Sequence, residues 1–160
     1  MNAVAFTFCC GGCGRQFEGP EAPENSYGQF VLRSETSDAA AFLDAPNDSV
    51  FFESYHMVRS DPQTAKMSGE RKARIQQQVF ALTRDPTSGG EMLKIGVHPR
   101  CPHCGSREMG NWQEISPPRL WPLPSVTHKK WNALTKQQRV ELIGRGIQSS
   151  LKAAGDCRSP

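Results

Sequence analysis

Phe8-Cys9-Cys10-Gly11-Gly12-Cys13-Gly14 and Arg100-Cys101-Pro102-His103-Cys104-Gly105-Ser106 hold five of the chain's six cysteines. Aligning Cys10 with Cys101 gives one pattern twice: Cys, two residues, Cys, Gly. Two residues between thiolates let both sulfurs converge on one ion across a turn. The glycine that follows takes a positive φ, which frees backbone N–H groups to point at the sulfurs. Two such turns deliver Cys10, Cys13, Cys101 and Cys104 to one tetrahedral ion, with no coordination position left for water. The spacing therefore predicts a single structural Zn2+ and not a catalytic one.

The paired knuckles resemble those of a zinc ribbon, over roughly residues 4–18 and 95–115, about a fifth of the chain. Ala5, Phe6, Phe8 and Phe17 flank the first turn, and Ile95, Val97, Trp112 and Ile115 the second. The resemblance implies two facing β-hairpins and a metal, not an activity. Between Cys13 and Cys101 lie 87 residues, where a compact ribbon has about one or two dozen. It therefore implies a ribbon split by an insertion, or one formed where two layers meet.

Rival readings of the cysteines fit less well. Cys101-Pro102-His103-Cys104 also spells a thioredoxin-like redox motif, but no βαβ pattern surrounds it and the first knuckle would be left unexplained. Disulfides suit an oxidising compartment. A zinc deaminase needs His-x-Glu and a proline directly before its Cys-x-x-Cys, where Arg100 stands. Cys9 offers an alternative spacing to Cys13, yet Cys10 reproduces the second knuckle residue for residue. His98 is a reserve ligand, His103 faces solvent, and Cys157 is expected to be an idle thiol.

Around these motifs the chain reads as an α+β protein, a zinc ribbon split by a small antiparallel β-meander plus a helix, with a C-terminal amphipathic helix. Residues 1–115 are assigned to the ribbon with its insertion at 19–94, 116–125 to a proline-rich strap, and 126–155 to a helical arm. Runs at Tyr27–Ser34, Ala39–Asp44 and Ser49–Arg59 are rich in aromatic or β-branched residues or alanine, and predict three strands. Ala45-Pro46-Asn47-Asp48 is expected as a hairpin turn, with Phe51, Phe52, Tyr55 and Met57 in the core. Asp61-Pro62 marks a helix start, with Ile75, Val79 and Leu82 at helical spacing. Thr87-Ser88-Gly89-Gly90 leads into a strand at Met92–Val97. Pro117, Pro118, Pro122 and Pro124 force an extended strap carrying Trp121. Thr135 and Gln138 form a capping box, Gly155 closes the last helix, and Val140, Ile143, Ile147 and Leu151 form its apolar stripe.

Composition bounds the rest. The chain has 160 residues, 37% of them apolar, and a net charge of +3. Leu, Val, Ile and Phe make up 30 residues, a thin core of the kind that gains from a metal staple. No apolar run reaches membrane-spanning length, and Met1 to Phe8 carry no basic residue, so a cytoplasmic location is expected. Residues 1–65 balance at −6 and residues 66–160 at +9, an asymmetry that favours an acidic partner for the second part. Candidate contacts to nucleic acid or an acidic partner are Arg71, Lys72, Arg74, Lys129, Lys130, Trp131 and Arg139, with Trp131 beside two lysines either a base-stacking ring or an anchor of the last helix to the core. Val140, Ile143, Ile147 and Leu151 form a face expected to dock on the chain's own body or, alternatively, on a protein partner.

No nucleophile, P-loop, H-E-x-x-H or dinucleotide motif is present. The sequence thus reads as a non-enzymatic accessory subunit of a nucleic-acid-associated complex, with no small-molecule substrate. Two alternatives stand beside it. One is a protein–protein inhibitor or regulatory subunit of a phage, mobile-element or host-defence system. The other is an HNH-like nuclease using His56, His98, His128 and Asn132.

Overall fold

A computed structural model describes residues 3–156; Cys157 lies outside them. The chain is α+β, with two antiparallel sheets and four α-helices, and its contacts group it into two units. The first comprises residues 3–47 and 86–126, the second 48–85 and 127–156.

In the first unit, β1 (Ala3–Cys10) is the central strand. The run Ala3–Phe6 is buried throughout, as a strand covered on both faces should be. β2 (Gln16–Glu21) pairs along one edge of β1. β5 (Met109–Glu114) pairs along the other, opposite Phe6–Cys10, and β6 (Leu120–Trp121) continues that edge opposite Ala3 and Val4. Val4, Phe6 and Phe8 pack one face with Phe17 and Met109. Ala3 on the other face packs with Val31 and Phe42 of the hairpin β3 (Gln29–Arg33) and β4 (Ala40–Asp44), closed over by Trp121 and Leu123. The proline-rich segment thus lies along β1 as a short strand.

The expected strand at Met92–Val97 is absent. Only Lys94 pairs, through a single bridge to Arg33, because Gly96 turns the chain at φ +82° and Pro99 follows. Arginine side chains hold this segment instead. Buried Arg33 donates to the Val97 carbonyl at 3.2 Å and pairs with Glu21 at 3.1 Å. Arg107 donates to the carbonyls of His98, Ser34 and Ser37 at 2.6–2.8 Å.

The second unit is helical. Ser49–Arg59 is not a third strand but α1 (Ser49–Ser60). Ala45–Asn47 forms one 3-10 turn where a hairpin was expected, and Asp48 then caps the helix, its Oδ1 accepting from Val50 and Phe51 N–H at 2.9 and 3.0 Å. The decisive spacing is Val50, Ser54 and Val58, all buried on one face. Phe52, expected in the core, is instead 45% exposed. The next helix starts at Ser68, not at Asp61-Pro62, and runs as α2 (Gly69–Ala81). α1 and α2 are antiparallel: Phe51 packs edge-on to Phe80 at 5.2 Å, and the Gln76 amide bonds Ser54 Oγ at 2.9 Å.

α3 (Lys129–Asn132) is one turn, its first N–H groups donating to the Asp85 carboxylate. α4 (Lys136–Asp156) opens on the expected capping box, with Thr135 N–H to Gln138 Oε1 at 2.8 Å and Gln138 N–H to Thr135 Oγ1 at 3.2 Å. The helix runs through Gly155. α4 packs on α1 and α2. Gly146 permits this approach, since a Cβ there would lie 2.7 Å from Leu82 Cδ1 and 3.3 Å from Val79 Cγ2. Gly144 meets nothing within 4 Å. Gly144→Ala is therefore expected to raise stability by about 0.5–1 kcal/mol. Thermal melts should show Gly146→Ala gaining less than Gly144→Ala.

Candidate metal centre

Each knuckle is a turn with the same backbone bonds. At the end of β1, Cys10 N–H donates to the Arg15 carbonyl at 3.0 Å, and Gly14 N–H returns to the Cys10 carbonyl at 2.8 Å. In the second knuckle Cys101 N–H donates to Ser106 and Gly105 N–H to Cys101, both at 2.8 Å. Gly14 and Gly105 hold φ +71° and +75°, a conformation that costs glycine little and other residues much. The first knuckle is the tip of the β1–β2 hairpin. The second has an outgoing strand, β5, but no incoming one, so the two facing hairpins implied by a ribbon are only partly formed.

What joins the knuckles is β5, hydrogen-bonded to β1 itself. The pairing shifts register between Cys9 and Cys10, and Gly11 N–H donates to the Glu108 carbonyl at 2.7 Å. Gly12 lies so close to the second knuckle that an added Cβ would be 3.0 Å from Ser106 Cβ and 3.6 Å from Cys104 Sγ. Neither this contact nor the anchoring by Arg107 leaves a local signal in the sequence.

The four sulfurs lie within 4.8 Å of one another, Cys10 and Cys101 buried, Cys13 and Cys104 exposed. Across the knuckles, Cys10 Sγ is 3.5 Å from Cys104 Sγ and Cys13 Sγ is 3.7 Å from Cys101 Sγ. A tetrahedral ion with metal–sulfur bonds of about 2.3 Å needs sulfurs about 3.8 Å apart. The residues present fit such an ion. Electrostatics agree: four thiolates this close cannot all ionise without a cation. Burial raises the Cys101 thiol, but the N–H groups of His103 and Cys104 and the thiols of Cys10 and Cys13 outweigh it and bring it to about 6. Cys104 receives the Ser106 N–H, yet the neighbouring thiols and burial push it up to about 12.

Cys9 stands apart, with Sγ 3.7 Å from the Gly14 carbonyl and outside the cluster. Among the described residues no histidine joins a metal-binding group. His98 packs on Trp112 with ring centroids 5.1 Å apart, and His128 bonds Asp48 at 2.9 Å and the Thr83 carbonyl at 2.9 Å.

The other candidate residues fall in the helical unit and divide by environment. Trp131 is 1% exposed and its indole N–H donates to Glu53 at 3.0 Å, so its ring anchors the fold and is closed to a stacking base. Arg139 also pairs with Glu53, at 3.0 Å, and Arg74 with Glu70 at 2.5 Å. Arg71, Lys72, Lys129 and Lys130 form no ion pair among the described residues. Ile143 and Ile147 are buried at 2% and 0%, while Val140 is 49% exposed and Leu151 half-buried. The expected partner stripe is thus largely consumed inside the protein.

Fold and site together define an α+β protein with a four-cysteine metal-binding centre. No protein-family model, curated protein or solved structure matches the chain. Among the described residues no helix is long and apolar enough to cross a membrane.

Proposed function

We propose that the four cysteines hold one Zn2+ in a structural role, and that the protein is a non-catalytic adaptor whose basic helical unit engages nucleic acid. A closed set of four thiolates supports the first part, since it leaves no position for a substrate or water. The distribution of charge carries the second. Segments 48–85 and 127–156 hold twelve Lys and Arg against seven Asp and Glu, a balance of +5. Segments 1–47 and 86–126 hold six against nine, a balance of −3. The sheet unit organises the metal, and the helical unit presents the cations. Arg71, Lys72, Lys129 and Lys130, whose side chains form no ion pair among the described residues, are the proposed phosphate contacts.

Binding of the zinc-loaded protein to labelled DNA and RNA across a salt series tests this. Four phosphate contacts predict that affinity falls on the order of a hundredfold between about 50 and 200 mM salt. Arg71→Glu combined with Lys130→Glu should weaken binding and flatten that slope. Absence of binding at 50 mM salt would remove nucleic acid from the account.

A further inference from the structure

We infer that the outer face of α1 is a stacking platform for single-stranded nucleic acid, an inference that rests on the nucleic-acid reading above. Once residues 49–60 form a helix, Phe52, Tyr55, His56 and Arg59 fall at i, i+3, i+4 and i+7, one face. It lies away from the buried Val50–Ser54–Val58 face. Phe52 is 45% exposed, and His56 and Arg59 are exposed.

The rings are already organised. Tyr55 stacks on Phe51 with centroids 6.5 Å apart and planes at 23°, and His56 meets Tyr55 edge-on at 5.6 Å. The Arg59 guanidinium lies 4.6 Å over the Tyr55 ring. Phe52 meets Phe51 edge-on at 5.8 Å, which leaves part of its ring open to solvent.

Charge selects the occupant. Arg59 sits at the end of α1, and the antiparallel register with α2 brings Lys66 and Arg71 to that same end of the hairpin. Rings interleaved with cations, in a unit of charge +5 over residues 48–85 and 127–156, suit bases on the aromatic faces and phosphates on the cations. A duplex hides its base faces, so the preferred form is single-stranded. The platform also supplies the aromatic partner that buried Trp131 does not.

The test uses the full zinc-loaded chain, fluorescein-labelled dT12 and a 12-base-pair duplex, read by anisotropy, with circular-dichroism melts confirming that each variant folds. dT12 should bind more tightly than the duplex. Phe52→Ala and His56→Ala should each weaken dT12 about tenfold while leaving the salt slope unchanged. Phe52→Leu should fail to restore affinity and Phe52→Trp should restore it, since an aromatic face is needed and not bulk. If dT12 binds folded Phe52→Ala and His56→Ala as it binds the parent, the platform is refuted while the nucleic-acid reading stands. If neither dT12 nor the duplex binds the parent at low salt, that reading fails and the platform with it.

Discussion

Replacing Cys101 by serine is expected to abolish stoichiometric metal binding and to unfold the sheet unit around the two knuckles. Cys101 is 1% exposed and sits 3.7 Å from Cys13 Sγ, so a serine hydroxyl there cannot replace the thiolate. The free energy of a structural zinc site is largely folding free energy, of order 10 kcal/mol in small zinc modules. That is comparable to the whole stability of a typical domain, about 5–15 kcal/mol. The dependence is sharpened by topology, because the 87 residues between Cys13 and Cys101 form a long loop that the β1–β5 pairing and the Gly11–Glu108 bond close at the knuckles, and a bound ion would add the cross-link between them. Cys9→Ser is the matched control. Its Sγ lies outside the cluster, so metal content by elemental analysis and the melting temperature should stay near those of the parent.

The second large effect is expected from His128→Ala, which should destabilise the helical unit by about 3 kcal/mol. His128 Nε2 bonds Asp48 Oδ2 at 2.9 Å and Nδ1 bonds the Thr83 carbonyl at 2.9 Å, with side chains only 8% and 14% exposed for His128 and Asp48. Asp48 also caps α1, so the pair ties the start of α1 to the end of α2 and the entry of α3. Removing one partner of a buried pair leaves the other charge uncompensated, at about 3–5 kcal/mol. A shift in melting temperature on the order of 10 °C follows.

The pair also sets a pH signature. Burial lowers the His128 imidazole, but its bonds to Asp48 and Thr83 and the charges of Asp48 and Asp85 more than offset this and raise it. Its contribution is therefore full below the unfolded value of about 6.5 and is lost as pH rises through the raised one. Burial raises the Asp48 carboxyl, but the bonds from His128, Phe51 and Val50 hold it below its ordinary value. Its contribution is present above about 3.9 and lost as pH falls through the lowered value. The parent's stability advantage over His128→Ala should be largest between about pH 4 and 6.5 and shrink on the alkaline side. An advantage that keeps growing as pH rises above about 6.5 would contradict a protonated His128 in the folded state.

The metal centre was legible because its signal is local and chemical. Four residues of one type, at the same spacing twice and followed by glycine, require no knowledge of the chain between them. Cys10 over Cys9 followed from matching the knuckles, and the capping box at Thr135 and Gln138 from three adjacent positions. Residues 49–59 failed for the opposite reason. Phe51, Phe52 and Tyr55 favour strands by propensity, and what overrode it was the tertiary burial of Val50, Ser54 and Val58 at helical spacing, begun by the Asp48 cap.

Segment 92–97 is not a strand because its order comes from Arg33 reaching Lys94 and Val97, with Arg107 holding His98 just beyond, contacts that no window of sequence contains. Trp131 shows the same limit at a candidate site. A tryptophan beside two lysines reads equally as a ligand platform or a core anchor until Glu53, 78 residues away, is seen to accept its N–H. The row Phe52, Tyr55 and His56 on one side of α1 is apparent only once residues 49–60 are a helix.

The most direct measurement is native mass spectrometry of the intact chain, coupled to alkylation mapping of each cysteine before and after chelation. One Zn2+ per chain is predicted, with Cys10, Cys13, Cys101 and Cys104 protected until the chelator removes the ion and all four then modified together. A metal-free native chain, or protection confined to fewer than these four thiols, would contradict the account.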